Sequence, residues 1–490
     1  MEHYDLIVIG GGPSGYAGAM RAVDFGKKVL LIEKKRVGGA GVYDGVLTSK
    51  TLWEYSQRVS SIRESIPNYE VNFEELFRTV NEAVFERKTQ MLVHLKILQQ
   101  MKPDTFFYEK GTALILDKHT VQITKDDEVK KVSADNILIA TGSRPRIPGN
   151  ITVDEQTIVT SDGIKNLKSL PKSMVVLGAG VIGCEFATIF SNMGKTKVYL
   201  IDKADRILPF EDEDIATCVS QNLEARGAVI HHGASLKRME IKNGEVEYEL
   251  EYKDGKTEII HVEKALISIG RVGNVENLGL ENAGVKLNPR GGVWNDDTQT
   301  NISNIYAAGD ITTEVALVNV GEREARHAVV RMFGPIVKPL SYKNISTIMF
   351  LNPEVAAVGM SEQDLVAKGI AHKVVKLDYA TNARAIAMRK TAGFFKIIVT
   401  NDNGMRILGM RAVGEHASSA IQAVAYLIYT NQGIRELADM MHPHPSIIEG
   451  VQECLRMLLN KSIYKPYVFK DRLKCYVCEN GNCTPIESLV

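Results

Sequence analysis

An apolar run, Tyr4-Asp5-Leu6-Ile7-Val8-Ile9, meets Gly10-Gly11-Gly12-Pro13-Ser14-Gly15, after which small and apolar residues recur at helical spacing as far as Gly26. The pattern predicts strand, glycine turn, helix. A second apolar run, Lys28-Val29-Leu30-Leu31-Ile32, ends on Glu33, at the distance where a carboxylate takes the ribose hydroxyls of an adenine dinucleotide. The glycines serve separate purposes. Gly10 permits the tight turn, Gly12 lets the backbone approach a pyrophosphate, and Gly15 lets helix pack close on strand. The same pattern returns. Ser173-Met174-Val175-Val176-Leu177 leads into Gly178-Ala179-Gly180-Val181-Ile182-Gly183, a helix comes next, and Lys197-Val198-Tyr199-Leu200-Ile201 ends on Asp202. A lone glycine fingerprint is weak, because a plain turn in an α/β domain looks alike; two copies, each with strand, helix and terminal acid, predict two dinucleotide units. An acid accepts from a free 2′-hydroxyl and repels a 2′-phosphate, so Asp202 points to NAD, with Lys203 and Arg206 close behind it as cations that a phosphate would use.

Between the units, Thr51 to Lys102 reads as two helices joined around Pro67-Asn68-Tyr69, with apolar positions suited to packing. A chain of 490 residues, 44% hydrophobic and 24% charged, has room for three or four packed units. Lys+Arg and Asp+Glu balance at 59 each, which argues against nucleic acid or an anionic membrane as partner and favours small molecules. No apolar run approaches membrane-spanning length and no leader pattern opens the chain, so the expectation is a soluble, uncleaved, cytoplasmic protein. Six cysteines fit a reducing compartment. Cys184, Cys218 and Cys454 are scattered; Cys475, Cys478 and Cys483 crowd the C-terminus.

With both fingerprints in place the chain resembles the class I pyridine nucleotide-disulfide oxidoreductases, the dihydrolipoamide dehydrogenase and glutathione reductase type, almost end to end. The resemblance implies two Rossmann-like α/β dinucleotide-binding domains, FAD on the first fingerprint and NAD on the second, and an α+β C-terminal dimerisation domain. Ala140-Thr141-Gly142-Ser143-Arg144-Pro145 matches the crossover into the nicotinamide domain, and Gly270-Arg271-Val272-Gly273-Asn274 the return, with Gly273 where proline is usual. The stretch from Thr300 through Gly309 to Asp310 resembles the second flavin motif, whose aspartate holds the ribityl chain. Lys34, Gly39, Ala113, Leu317 and Val318 complete the implied flavin set. Asn352 to Gly359 and Gly393-Phe394-Phe395-Lys396 resemble the dimerisation domain, which implies a homodimer with a shared active site. Expected boundaries are 1–149 and 277–345 for the flavin domain, 150–276 for the NAD domain, 346–466 for the dimerisation domain and 467–490 for a cysteine-containing tail.

The chain departs from the family at its namesake feature. The resemblance places two cysteines, with four residues between them, inside Gly38-Gly39-Ala40-Gly41-Val42-Tyr43-Asp44-Gly45-Val46-Leu47-Thr48-Ser49-Lys50, where Gly41 and Val46 stand instead. Neither side chain forms a thiolate or a mixed disulfide. The frame around them persists, and the resemblance pairs Lys50 near the flavin with Glu185 on the helix after the second fingerprint, a charge that would stabilise reduced flavin. His442-Pro443-His444-Pro445 and onward to Glu449 resembles the family's base motif, with His444 as the proton-transferring group and Glu449 orienting it. No metal site is expected.

These features predict a flavoprotein that passes electrons from NADH through FAD directly to a diffusible acceptor such as a quinone, with Tyr43 available for stacking and Asp44 at the rim of the acceptor pocket. The alternatives are a soluble nicotinamide nucleotide transhydrogenase, a dihydrolipoamide dehydrogenase-like dithiol reductase using Cys475 and Cys478, and a non-catalytic flavin redox sensor or assembly subunit. Cys-x-x-Cys is also a metal half-site, and the tail thiols could equally be inert.

Overall fold

The computed structural model describes residues 1–486. The strand Glu2–Ile9 is buried along its last residues and runs between two parallel neighbours, Val29–Glu33 and Glu128–Ile139. Burial on both faces is why these strands read as near-continuous apolar runs. They belong to a seven-stranded sheet, with Phe106–Lys110 at one edge and Ile305–Ala307 returning late in the chain to pair with Glu128–Ile139. The helix Pro13–Asp24 covers the sheet and packs on Val318–Phe333.

The second unit repeats the plan. Its five parallel strands run in the order Val229–His231, Lys197–Ile201, Ser173–Leu177, Lys264–Ile267 and Ile158–Thr160. The helix Val181–Met193 succeeds its glycine turn, and a three-stranded antiparallel sheet, 234–262, closes one face. The crossover and return segments lie side by side: Ser143–Pro145 pairs antiparallel with Arg271–Gly273. The segment around and after Lys50 forms two helices, Val46–Ser65 and Phe73–Met101, with Leu52, Trp53 and Val59 in one apolar cluster with Phe186 and Phe190 of the second unit.

The third unit is a seven-stranded antiparallel sheet covered by the helices Ile421–Thr430 and Ile448–Leu458. The expectation of a tail at 467–490 needs correction, because its middle completes this sheet; positions 487–490 lie outside the described residues. Leu473–Glu479 pairs antiparallel with His372–Asp378 and turns through Asn480-Gly481 into Asn482–Pro485. Both turn residues have positive φ, 50° and 79°, the Asn-Gly geometry that suits a two-residue hairpin. Within the strand, residues three apart face opposite sides, so Cys475 and Cys478 do not form a dithiol. Cys475 is a buried thiol packed in the core beneath the sheet, whereas Cys478 is disulfide-bonded to its cross-strand partner Cys483.

A polar seam joins this unit to the second. Lys396, 1% exposed, donates to Asp212 (2.9 Å) and Asp214 (2.8 Å) and lies 2.6 Å from Glu362. Burial would lower its pKa, but the three carboxylates outweigh burial and raise it. Arg411 and Glu211 form a second buried pair alongside.

Candidate functional site

The two glycine turns open into one cleft of about 2100 Å³, lined by both nucleotide units and by residues of the third, among them Phe350 and Gln422. In the first turn Gly10 adopts φ +106°. A Cβ on Gly15 would stand 1.8 Å from the Gly10 carbonyl oxygen, while one on Gly12 would meet nothing within 4 Å. Close packing on one side and an open approach on the other make a cradle of the shape a pyrophosphate fills. The helix behind it, N-capped by Gly12, has no side-chain cap and no acid in its first turn, so its N–H groups are free for an anion. Glu33 is fixed by the backbone: its carboxylate accepts from Gly11 (2.7 Å), Lys35 (2.6 Å) and Arg36 (3.2 Å).

The second turn has the same construction. Gly178 has φ +104°, Gly183 leaves no room for a Cβ against the Gly178 carbonyl at 1.9 Å, and Gly180 faces open space. Asp202 accepts from Ala179 (2.7 Å) and Ala204 (2.9 Å). Of the two cations just beyond it, Lys203 lines the cleft, whereas Arg206 donates to the carbonyls of Pro209 (3.1 Å) and Glu211 (2.9 Å).

The late flavin motif joins this wall. Ser143 donates to Asp310 at 2.6 Å, and Arg271 donates to the Ser143 hydroxyl at 2.7 Å. Gly309 packs on Ser14, and Leu317 caps the start of the helix Val318–Phe333 at the cleft, again without a side-chain cap. Lys34, Gly39, Ala113, Ala140, Thr141, Gly142, Val181, Ile182 and Gly270 also line the cleft. The donor set and both cradles fit two adenine dinucleotides.

Where the two units meet, Lys50 and Glu185 form an ion pair at 2.8 Å. Glu185 is 4% exposed, and its other oxygen accepts the Phe350 N–H at 3.0 Å. The Lys50 ammonium also lies 4.7 Å from the centre of the Phe350 ring. Phe350 carried no signal in the sequence, because its role depends on the third unit folding back over the first. Asp162 was likewise missed: it lines the cleft beside Arg271 (3.6 Å), and burial raises its pKa against the pull of that guanidinium.

No cysteine lines the cleft among the described residues. Val46 is 42% exposed at its wall, and a Cβ on Gly41 would lie 2.6 Å from Pro13 Cγ. Tyr43 and Asp44 both line the cleft, as expected, but Tyr43 has little free face for stacking. Tyr43 is 7% exposed and lies under the Arg36 guanidinium, 4.1 Å from its ring centre. Asp44 is tied to Arg36 at 3.2 Å and to Lys165, so it pins the loop to the second unit.

His444 and Glu449 lie elsewhere. Glu449 bonds His444 at 2.9 Å and accepts the Ser446 N–H at 2.7 Å, but neither residue lines the cleft of its own chain, and the His444 side chain is 70% exposed. Burial raises the Glu449 pKa, and the bonds from His444 and Ser446 outweigh it and hold the carboxyl below its ordinary value.

Fold and cleft define a two-nucleotide flavoprotein. Residues 4–325 match the family described as pyridine nucleotide-disulphide oxidoreductase, and residues 345–455 match its dimerisation domain. The chain belongs to the pyridine nucleotide-disulfide oxidoreductase family, whose members use FAD and NAD(H), and the matched dimerisation domain supports a homodimer. It is 31% identical over 468 residues to a dihydrolipoyl dehydrogenase of Bacillus subtilis, covering 94% of this chain and 97% of that one. It is 33% identical over 435 residues to a soluble pyridine nucleotide transhydrogenase of Pseudomonas paraeruginosa, covering 86% and 89%. The crystal structure of LpdA from Mycobacterium tuberculosis superposes with a TM-score of 0.85 at 26% identity, over 94% of this chain and 100% of that one. No helix among the described residues is long and apolar enough to cross a membrane.

Proposed function

We propose that the chain is an NADH-dependent flavoprotein that passes electrons directly to a diffusible acceptor such as a quinone, without a dithiol relay. The observation that carries this reading is a cleft holding two nucleotide cradles and the Lys50–Glu185 pair with no cysteine on its walls. When bound, FAD supplies a two-electron station between the nicotinamide and the acceptor. The protein's part is to bind and orient. Gly12 and Gly180 admit the two pyrophosphates, and Glu33 and Asp202 receive the riboses. Lys50, held by Glu185 and Phe350, fixes a positive charge where the two units meet and favours the more negative, reduced state of a group beside it. A quinone needs protons as well as electrons, and His444, bonded to Glu449, would give one to a partner subunit's cleft, as the resemblance to the family's base motif implies.

A specific observation favours a second reading, transhydrogenation: the 33% likeness to a soluble transhydrogenase. Against it, the second turn ends on an acid, Asp202, which would repel a 2′-phosphate, and Arg206 is turned onto loop carbonyls, leaving Lys203 to meet one. Anaerobic titration with NADH, followed in the flavin spectrum and then divided among a quinone, NADP+ and lipoamide, tests both. Full bleaching by one NADH per flavin with fast reoxidation by quinone is expected. Reoxidation by NADP+ alone selects the transhydrogenase, and consumption of a second NADH per flavin overturns both readings.

A further inference from the structure

The hairpin at 473–485 leaves two cysteines and a carboxylate together, away from the cleft. Cys478 is 1% exposed, Cys483 is exposed across the turn, and Glu362 approaches from the start of a short helix; one ligand atom from each falls within 4.8 Å of the others. Cys475, which the Cys-x-x-Cys spacing suggests as the partner of Cys478, faces the other side of the sheet. We propose that reduction of the Cys478–Cys483 disulfide creates a zinc(II) site whose protein ligands are Cys478 Sγ, Cys483 Sγ and Glu362 Oε1.

Three features support it. The strand pairing and the Asn480-Gly481 turn hold the two cysteines opposite each other independently of the bond between them. Glu362 is already oriented: its Oε2 lies 2.6 Å from Lys396, the Tyr476 hydroxyl reaches both oxygens (2.9 Å to Oε2, 3.1 Å to Oε1), and Oε1 lies 3.7 Å from Cys478 Sγ. A ligating carboxylate held through its second oxygen is the arrangement that raises metal affinity. The charges also favour a cation, because two thiolates would form beside Glu362, Asp212 and Asp214, three carboxylates that already share Lys396, while the neighbouring Arg411 is paired with Glu211. Two thiolates and one carboxylate with a fourth position open to water match tetrahedral zinc, and the exposed Cys483 gives an entry path.

The chemistry balances with a dithiol as reductant. The Cys478–Cys483 bond breaks, two electrons and two protons pass to the two sulfurs, and the reductant leaves as its own disulfide. Zinc then forms two S–Zn bonds and one O–Zn bond, releasing both thiol protons to water.

The test uses the full-length flavoprotein, reduced with a phosphine and titrated with Zn2+ against a chromogenic chelator, with Co2+ as spectroscopic probe. Reduced protein is expected to bind one zinc per chain and to show thiolate-to-cobalt absorption, while oxidised protein binds none. Cys483→Ser, at an exposed position, should abolish competition with the chelator, and Glu362→Gln, which replaces a ligating carboxylate by a neutral amide, should weaken binding measurably while leaving the two thiolate bonds to cobalt visible. Cys475→Ser should bind like wild type. Binding that survives Cys483→Ser, binding lost in Cys475→Ser, or reduced wild type that leaves all zinc on the chelator overturns the proposal.

Discussion

The two nucleotide turns are built alike, with φ of +106° and +104° at the leading glycines and a 2.7 Å bond from the next N–H to the ribose acid. The segments beyond the two turns differ. After Glu33 the chain makes the glycine-rich Gly38–Gly45 segment and the pair of long helices, whereas after Asp202 it returns to a helix and sheet within its own unit. Dinucleotide binding is a backbone solution that a sequence can reuse; the fate of the electrons depends on the segment attached to it.

The likeness of the turns breaks most visibly at the close-packed glycines. Gly15→Ala places a Cβ 1.8 Å from a carbonyl oxygen that belongs to the turn leaving the core sheet of the first unit. Overpacking of this kind costs about 1–3 kcal/mol and moves the backbone. The variant should purify with its flavin largely lost. Gly183→Ala, with the corresponding clash at 1.9 Å, should keep its flavin and raise KM for NADH about tenfold or more. Flavin-to-protein absorbance and NADH kinetics separate the two, and loss of flavin from the second variant alone would reverse the assignment of the units.

A smaller effect falls on the contact between the units. Lys50→Met removes the charge held by Glu185 and Phe350, and kcat should fall about 100-fold, with the flavin midpoint potential becoming more negative. An unchanged potential would leave Lys50 a structural ion pair. Asp202→Asn removes the repulsion that disfavours a 2′-phosphate, and the ratio of kcat/KM for NADPH over NADH should rise about tenfold. A fixed ratio would place nucleotide selection elsewhere.

The smallest effect concerns Glu449. Its folded pKa lies below its unfolded value of about 4.3, so the folded state binds fewer protons over that interval. Its stabilising contribution is therefore complete above the unfolded pKa and is lost as pH falls through the folded one. Glu449→Gln should melt about 2 °C below wild type between pH 6 and 8, and the gap should close as pH falls through the lowered folded pKa. A gap that widens in acid would contradict the sign.

The turns, their strands and Glu33, Asp202, Lys50 and Glu185 were legible because local spacing and family pattern both act along the chain. Phe350, Asp162 and the covering of Tyr43 by Arg36 were not, since each depends on which distant segments the fold brings together. The C-terminus shows the limit most plainly. Cys-x-x-Cys suggests a pair, but a strand sends residues three apart to opposite faces, and the Asn-Gly turn joins Cys478 to Cys483 instead.

Gly41 carries a consequence for engineering. The Pro13 ring crowds it: the ring Cγ sits 2.6 Å from the place a Cβ would occupy. Cysteines installed at 41 and 46 would thus not make a dithiol by two edits alone: the proline at the mouth of the flavin cradle must shift to admit the first of them.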